Sequence, residues 1–436
     1  IGTQAYDQYL DTLKRNRDGT PVGIVSVCSA HPAVIKAALR RGIDSDTLVL
    51  IESTSNQVNQ YGGYTGMKPA DFVDYVAGIA EEVGFDQSRL LLGGDHLGPN
   101  PWQSSPAKEA MAEARELIAG YVRAGYRKIH IDASMFLADD AGDRSAPLSD
   151  DVVAERTADL CRIAEDAAAS DPSLPPPLYV VGTEVPIPGG AQEAEESIEV
   201  TRPEDVQHTV DTIEKAFTAH GLAEPWKRVM AVVVQPGVEF GDDYVFDYDP
   251  GQATHLREQV ANLPGLVFEA HSTDYQTEEG LSNLVRDHFC ILKVGPWLTF
   301  AYREALFALC DIETELLGPE APERSRLRET LEDVMLEEPK YWQKYYHGSE
   351  SDKALKRKYS YSDRSRYYWQ NPRLKEATGR LFSNLRATEV PLPMLSQYLP
   401  GQYTKVRAGR LKNDPEELTL GRIDDVLGIY ERASAS

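Results

Sequence analysis

The sequence predicts an α/β fold: a TIM-type (β/α)8 barrel over residues 1–318, followed by a helical C-terminal extension over residues 319–436. Three observations lead there. Eight short β-branched runs alternate with helix-period segments; the alternation stops near residue 318; and the chain beyond it is helix-forming, rich in Tyr and charge, and lacks strand candidates. Alternation of this kind implies parallel strands joined by right-handed crossovers, and eight such units close a barrel within about 300 residues. An open doubly wound sheet is the competing arrangement. No GxGxxG turn follows the first strand and no GxxxxGK[ST] occurs anywhere, so its nucleotide-binding forms lose support.

In chain order the strand candidates are Gly23–Cys28, Leu48–Glu52, Leu90–Gly94, Lys128–Ile131, Leu178–Thr183, Val229–Val234, Leu266–Ala270 and Cys290–Val294. Each is a short apolar run that ends in polar residues. Between them the spacing predicts helices over Ala33–Arg41, Ala70–Val83, Ala107–Ala124, Asp150–Ala168, Pro203–His220, Ala253–Asn262 and Glu278–Asp287, with Leu298–Leu317 after the last strand. The prolines from Pro175 to Pro177 mark the loop before the fifth strand.

Composition narrows the function classes. With 45 Lys+Arg against 69 Asp+Glu the 436-residue chain carries a net charge of −24, which repels nucleic acid and anionic membrane surfaces. No run approaches the roughly 18 apolar residues of a membrane span, and the polar start from Ile1 to Arg17 lacks the basic-then-apolar order of a signal peptide. Cys28, Cys161, Cys290 and Cys310, without CxxC spacing, read as reduced buried thiols. The expectation is a cytoplasmic, enzyme-sized chain. One stretch runs against the total: Ser351–Arg380 holds nine Lys/Arg and three Asp/Glu. It reads as a solvated or subunit-facing helical face, with docking of a partner or a phosphate as the alternative.

In a barrel of this class the chemistry gathers where strands end, because only that face brings side chains from all eight strands to one point. His96 after the third strand and His271 after the seventh lie at one level, with Glu184 after the fifth and Gln235 after the sixth. Imidazole nitrogens with carboxylate or amide oxygens make a ligand set for a divalent Zn, Mn, Co or Ni ion. Asp95, beside His96, is the general acid/base candidate, and Glu184 is the second catalytic carboxylate. Substrate contacts are expected from Glu52, Asn56, Asn100, Asp132, Ser134, Gly237, Ser272, Asp274, Lys293 and Gly295, all at or just beyond strand ends. His130, His208, His220, His255, His288 and His347 read as structural, hydrogen-bonded histidines.

Several segments carry a resemblance: SVCSAHP from Ser26 to Pro32, SNQVNQYGGYTG from Ser55 to Gly66, GGDHLGPN from Gly93 to Asn100, GTEVPIPGG from Gly182 to Gly190, VQPGVEF from Val234 to Phe240, EAHSTDYQT from Glu269 to Thr277, LKVGP from Leu292 to Pro296 and SQYLP from Ser396 to Pro400. Together they resemble the GatZ/KbaZ family, the Z-type subunits of class II D-tagatose-1,6-bisphosphate aldolase, often labelled tagatose 6-phosphate kinases. The resemblance implies a TIM barrel related to metal-dependent class II aldolases, in galactitol or N-acetylgalactosamine catabolism. There the Z subunit is regarded as a non-catalytic support for a catalytic Y subunit, while some wider relatives are metal-dependent ketose 4-epimerases. Asp95-His96 resembles the aldolases' proton-shuttle and metal-ligand pair, Glu184 their glutamate motif, and His271-Ser272 their third-histidine segment. Two positions depart: Gln235 stands where the aldolases have another metal-binding His, and Gly295 where they have Asn. The expected partners are a ketose or ketose phosphate, a Y-type aldolase subunit and further copies of the chain in a homo-oligomer. Three functions follow: an aldolase-supporting subunit, a ketose 4-epimerase working by retro-aldol and aldol steps, and, least favoured for want of any phosphate-binding loop, a sugar-phosphate kinase.

Overall fold

The computed structural model describes residues 2–183 and 198–435. Eight parallel strands close a barrel: β1 (Ile24–Cys28), β2 (Val49–Thr54), β3 (Leu90–Leu97), β4 (Lys128–Ile131), β5 (Leu178–Val181), β6 (Val229–Val233), β7 (Val267–Ala270) and β8 (Phe289–Val294), with β8 pairing back onto β1. The expected strands are present in the expected order. A short antiparallel ribbon, Glu239–Phe240 with Val245–Phe246, was not foreseen and sits after β6.

Alternation along each strand sorts side chains into layers inside the barrel. The lowest layer is apolar, with Ile24, Leu50, Leu91, Leu178, Ala231, Val267 and Ile291 in one cluster. Above it lies a charged layer. Lys128 Nζ is 2.7 Å from both Glu52 Oε1 and Glu269 Oε2, and Lys293 Nζ is 3.0 Å from Glu52 Oε2. Gly93 makes this possible, since a Cβ there would lie 2.7 Å from Glu52 Cγ. The uppermost layer, one alternation further along, holds Cys28, Asp95, His130 and His271.

The helix Thr3–Arg17 plugs the lower end. Its Ala5, Tyr9 and Leu13 recur at helical spacing and join the apolar layer. At the other terminus the helix Pro415–Ser434 packs against Pro32–Ser45, Glu278–Arg286 and Pro296–Leu317, and the Gly23 amide donates to the Ser434 carbonyl at 2.9 Å. The sequence after Leu317 thus contributes to the helical ring as well as to the region over the barrel mouth. No helix among the described residues is long and apolar enough to cross a membrane.

Candidate active site

Simple alternation along β3 turns Asp95 inward and His96 outward. The chain avoids this with a bulge. The pairing of β3 on β4 shifts register between Gly94 and Leu97, and His96 adopts a left-handed φ of 46°. Both side chains then face the mouth of the barrel. The Ser55 hydroxyl donates to the His96 carbonyl at 2.9 Å, and the His96 amide donates to Asp95 Oδ1 at 3.1 Å, which holds the strained residue in place.

His96, His130 and His271 form a triangle of imidazoles, with ring centroids 4.9 to 5.2 Å apart. One nitrogen of each ring is held by a carboxylate: His96 Nδ1 by Asp132 Oδ2 at 2.8 Å, His130 Nδ1 by Asp95 Oδ1 at 2.8 Å, and His271 Nε2 by Glu269 Oε1 at 2.9 Å. With the carboxylates ionised, those nitrogens carry the protons and the opposite ones keep their lone pairs. His130 Nε2 is buried and has no hydrogen-bond partner. One ligand atom each from Asp95, His96, His130 and His271 lie within 4.8 Å of one another. An orphaned nitrogen inside a set of nitrogen and carboxylate donors fits a divalent metal ion.

The electrostatics point the same way. Burial holds the His271 imidazole down at about 4, so it is neutral at neutral pH. Burial also works against charge on His96, but Asp95 and Asp132 outweigh it and raise its pKa, as expected of a spot that draws in a cation. Asp95 is itself held well below the usual carboxylate range: burial opposes its ionisation, and Lys293 at 2.9 Å, His96 and the hydrogen bond from His130 prevail.

The cluster opens into a cavity of about 790 Å³. Of the residues expected from sequence, Asp95, His96, Asn56, Asn100, Asp132, Ser134, His271, Ser272, Asp274, Lys293 and Gly295 line it. Several have structural tasks there. Ser134 Oγ donates to Asp132 Oδ1 at 2.6 Å, and Asp274 Oδ1 accepts from the amides of Gly295 and Trp297 at 3.0 and 2.8 Å, with its pKa raised to about 6 by burial.

Other expectations need correction. Gln235, expected as a ligand, spends its Oε1 on the amides of Gly237 and Val238 at 2.8 and 3.0 Å, Gly237 serves that turn with φ 92°, and neither residue lines the cavity. Glu52, expected to touch substrate, lies in the charged layer beneath the cavity with Lys128. His130, read as structural, completes the triangle because it shares inward parity with Lys128 two residues earlier. Glu184 lies outside the described residues. Also unforeseen were Tyr64, Lys340, Tyr341, Tyr345, Arg364, Arg366 and Tyr367, which line the cavity from the loop after β2 and from the extension. The basic stretch is accordingly no uniform solvated face: Arg357 and Arg364 are buried.

Residues 9–435 match the family described as D-tagatose-1,6-bisphosphate aldolase subunit GatZ/KbaZ-like. The chain belongs to this family. The crystal structure of a probable tagatose 6 phosphate kinase from Sinorhizobium meliloti 1021 is 47% identical, with a TM-score of 0.86, over 94% of this chain and 100% of that one. A fructose-bisphosphate aldolase from Campylobacter jejuni is 13% identical, with a TM-score of 0.44, over 89% of this chain and 94% of that one. For this GatZ/KbaZ-like chain the carboxylate holders give a direct test of the cluster. Asp132→Ala frees the His96 ring to turn, and metal affinity measured by competition with a chromophoric chelator is expected to fall by about 10- to 100-fold.

Proposed function

We propose that this GatZ/KbaZ-like chain is a metal-dependent enzyme of carbohydrate metabolism that epimerises a ketose or ketose phosphate at C4, between fructose- and tagatose-type sugars, by retro-aldol opening and aldol closure. The observation that carries the reading is the triangle of His96, His130 and His271, each ring fixed by its own carboxylate, with His96 and His271 lining the cavity and His130 buried beside them. A scaffold has no use for such an arrangement.

His96, His130 and His271 would hold a divalent ion, which when bound would supply a Lewis acid for the C2 carbonyl of a ketose. The residues around it manage the proton. Asp95 is ionised, Lys293 and His130 hold its Oδ1, and its Oδ2 faces Cys28 Sγ at 3.8 Å and His96 Nε2 at 3.8 Å. In the first half-reaction Asp95 takes the proton of the C4 hydroxyl, the C3–C4 bond breaks, its electron pair moves toward C2, and C4 becomes an aldehyde. Rotation of that aldehyde presents its other face. The bond then re-forms and Asp95 returns the proton to the C4 oxygen, so atoms and charge balance and the product is the C4 epimer. Lys293 stays protonated throughout and offsets the carboxylate charge beneath the reacting atoms.

The test is metal analysis of the purified chain, followed by assays on fructose, tagatose and their phosphates, with and without a Y-type aldolase subunit. Asp95→Asn is expected to lower epimer formation by about 10²- to 10⁴-fold. If the chain shows no turnover of its own and only activates an added Y-type subunit, the epimerase reading fails and the supporting-subunit reading replaces it.

A further inference from the structure

The cavity has two chemical poles. Its barrel end presents carboxylates and imidazoles, namely Asp95, Asp132, Asp274, His96 and His271, with Lys293 paired to Asp95. Its other end is built by the extension, where Lys340, Arg364 and Arg366 line the wall among Tyr341, Tyr345 and Tyr367. Tyr64, from the loop after β2, packs edge-on against Tyr367 at 4.7 Å and ties the extension to the barrel.

The two arginines are held in place by the chain itself. Arg364 is 3% exposed; its guanidinium lies over the Tyr345 ring at 3.0 Å and its Nη1 donates to the Tyr341 carbonyl at 2.9 Å. Its Nε is buried and has no hydrogen-bond partner. Arg366 donates to the carbonyls of Ser362 and Asp363 and, at 2.9 Å, to the Tyr367 hydroxyl. Asp363, the buried carboxylate beside them, faces Arg303 before Arg366. Burial tends to raise the Tyr367 hydroxyl, yet Arg366 and Arg364 draw its pKa below the ordinary phenol value, so the local potential is positive. Other cations of the same stretch are already matched: Arg357 pairs with Glu332, and Lys356 pairs with Asp242 at 2.8 Å.

Two neighbouring arginines that line the cavity and a lysine at its rim make a site for a dianion with several acceptor oxygens. We propose that Arg364 and Arg366, with Lys340, form a phosphomonoester subsite, so that the substrate of this protein is a ketose phosphate whose phosphate is bound by the C-terminal extension while its carbonyl end reaches the imidazole triangle. This rests on the ketose chemistry proposed above and selects the phosphorylated substrate within it.

The experiment is isothermal titration of the full chain with inorganic phosphate, fructose 1-phosphate, fructose 6-phosphate and fructose, using the wild type, Arg364→Met, Arg366→Gln and, as a control in the same basic stretch, Lys356→Gln. At least one sugar phosphate is expected to bind about 10-fold or more tightly than fructose. Both arginine variants are expected to weaken its binding by roughly 10- to 100-fold, the range for loss of charged hydrogen bonds, with Lys356→Gln at the wild-type value. Thermal melts monitored by circular dichroism show which variants fold, and the half-buried Arg366 keeps the test alive if Arg364→Met does not. Equal wild-type affinity for fructose and its phosphates, or undiminished phosphate binding in folded Arg366→Gln, overturns the subsite. Phosphate binding lost in the variants without any epimer formation by the wild type leaves the subsite standing and removes the epimerase. Epimer formation with arginine-independent phosphate binding does the reverse.

Discussion

Lys128→Met is expected to destabilise the protein by about 3–5 kcal/mol in a urea titration followed by circular dichroism. The reason lies in the charged layer. Lys128 is 0% exposed, and its ammonium is the shared partner of Glu52 and Glu269, which are also 0% exposed. A methionine fills much of the space but leaves two carboxylates in the barrel interior with Lys293 as their one remaining lysine, beside hydrogen bonds from Ser26 to Glu52 and from His271 to Glu269. Desolvation of an unmatched carboxylate then has to be met by protonation or by opening of the barrel. The pH dependence has a definite sign. Burial pushes the Glu269 pKa up, but Lys128 and then Lys293 hold it well below the usual value, so its contribution to stability is present above the ordinary glutamate pKa and fades as pH falls through the lower folded value. Removing Lys128 raises the folded value, and the acid limb of the stability curve moves to higher pH. A variant that melts within about 1 kcal/mol of the wild type, with the same acid limb, contradicts this account.

The second large effect falls on His130. His130→Ala is expected to reduce metal affinity by more than about 100-fold, beyond the loss produced by removing an outer partner such as Asp132, and to abolish epimer formation with it. Two things are lost together: the unpartnered Nε2, and the Nδ1 that holds Asp95 Oδ1. His130→Asn separates them, because the carboxamide can still donate to Asp95 while offering no imidazole. Metal content by elemental analysis should fall in both variants. Gln235→Ala should retain the metal, since its amide oxygen is committed to the turn at Gly237 and Val238. Full metal content in folded His130→Ala would show that the ion, if bound, uses other donors.

Much of this molecule is written in short-range pattern. The eight strands were legible because each is an apolar run of strand length bounded by polar residues, a signal that needs only neighbouring positions. Asp95, His96 and His271 were legible because they follow such runs directly. The plug helix was less so: Thr3–Arg17 is polar on average, and only the spacing of Ala5, Tyr9 and Leu13 marks its buried face. For His130 a signal was present but unused, since Lys128, His130 and Asp132 share one parity, and a buried strand with polar residues at every second position has a polar interior to face.

Other features depend on contacts that no local pattern encodes. A backbone bulge, stabilised by Ser55 from the neighbouring β2 end, places Asp95 and His96 on the same side. Pairing of Lys128 with Glu52 and Glu269 joins residues from three strands through the space inside a closed barrel. The charge excess of Ser351–Arg380 was plain in the sequence, but which of its cations face solvent, which pair with acids and which line the cavity was set when the extension folded over the barrel mouth and buried Arg364 against Tyr345. Strand identity follows from the residues beside one another in the chain. The site follows from closure, which brings together groups separated by hundreds of residues and leaves each buried charge or ring nitrogen to find its partner there.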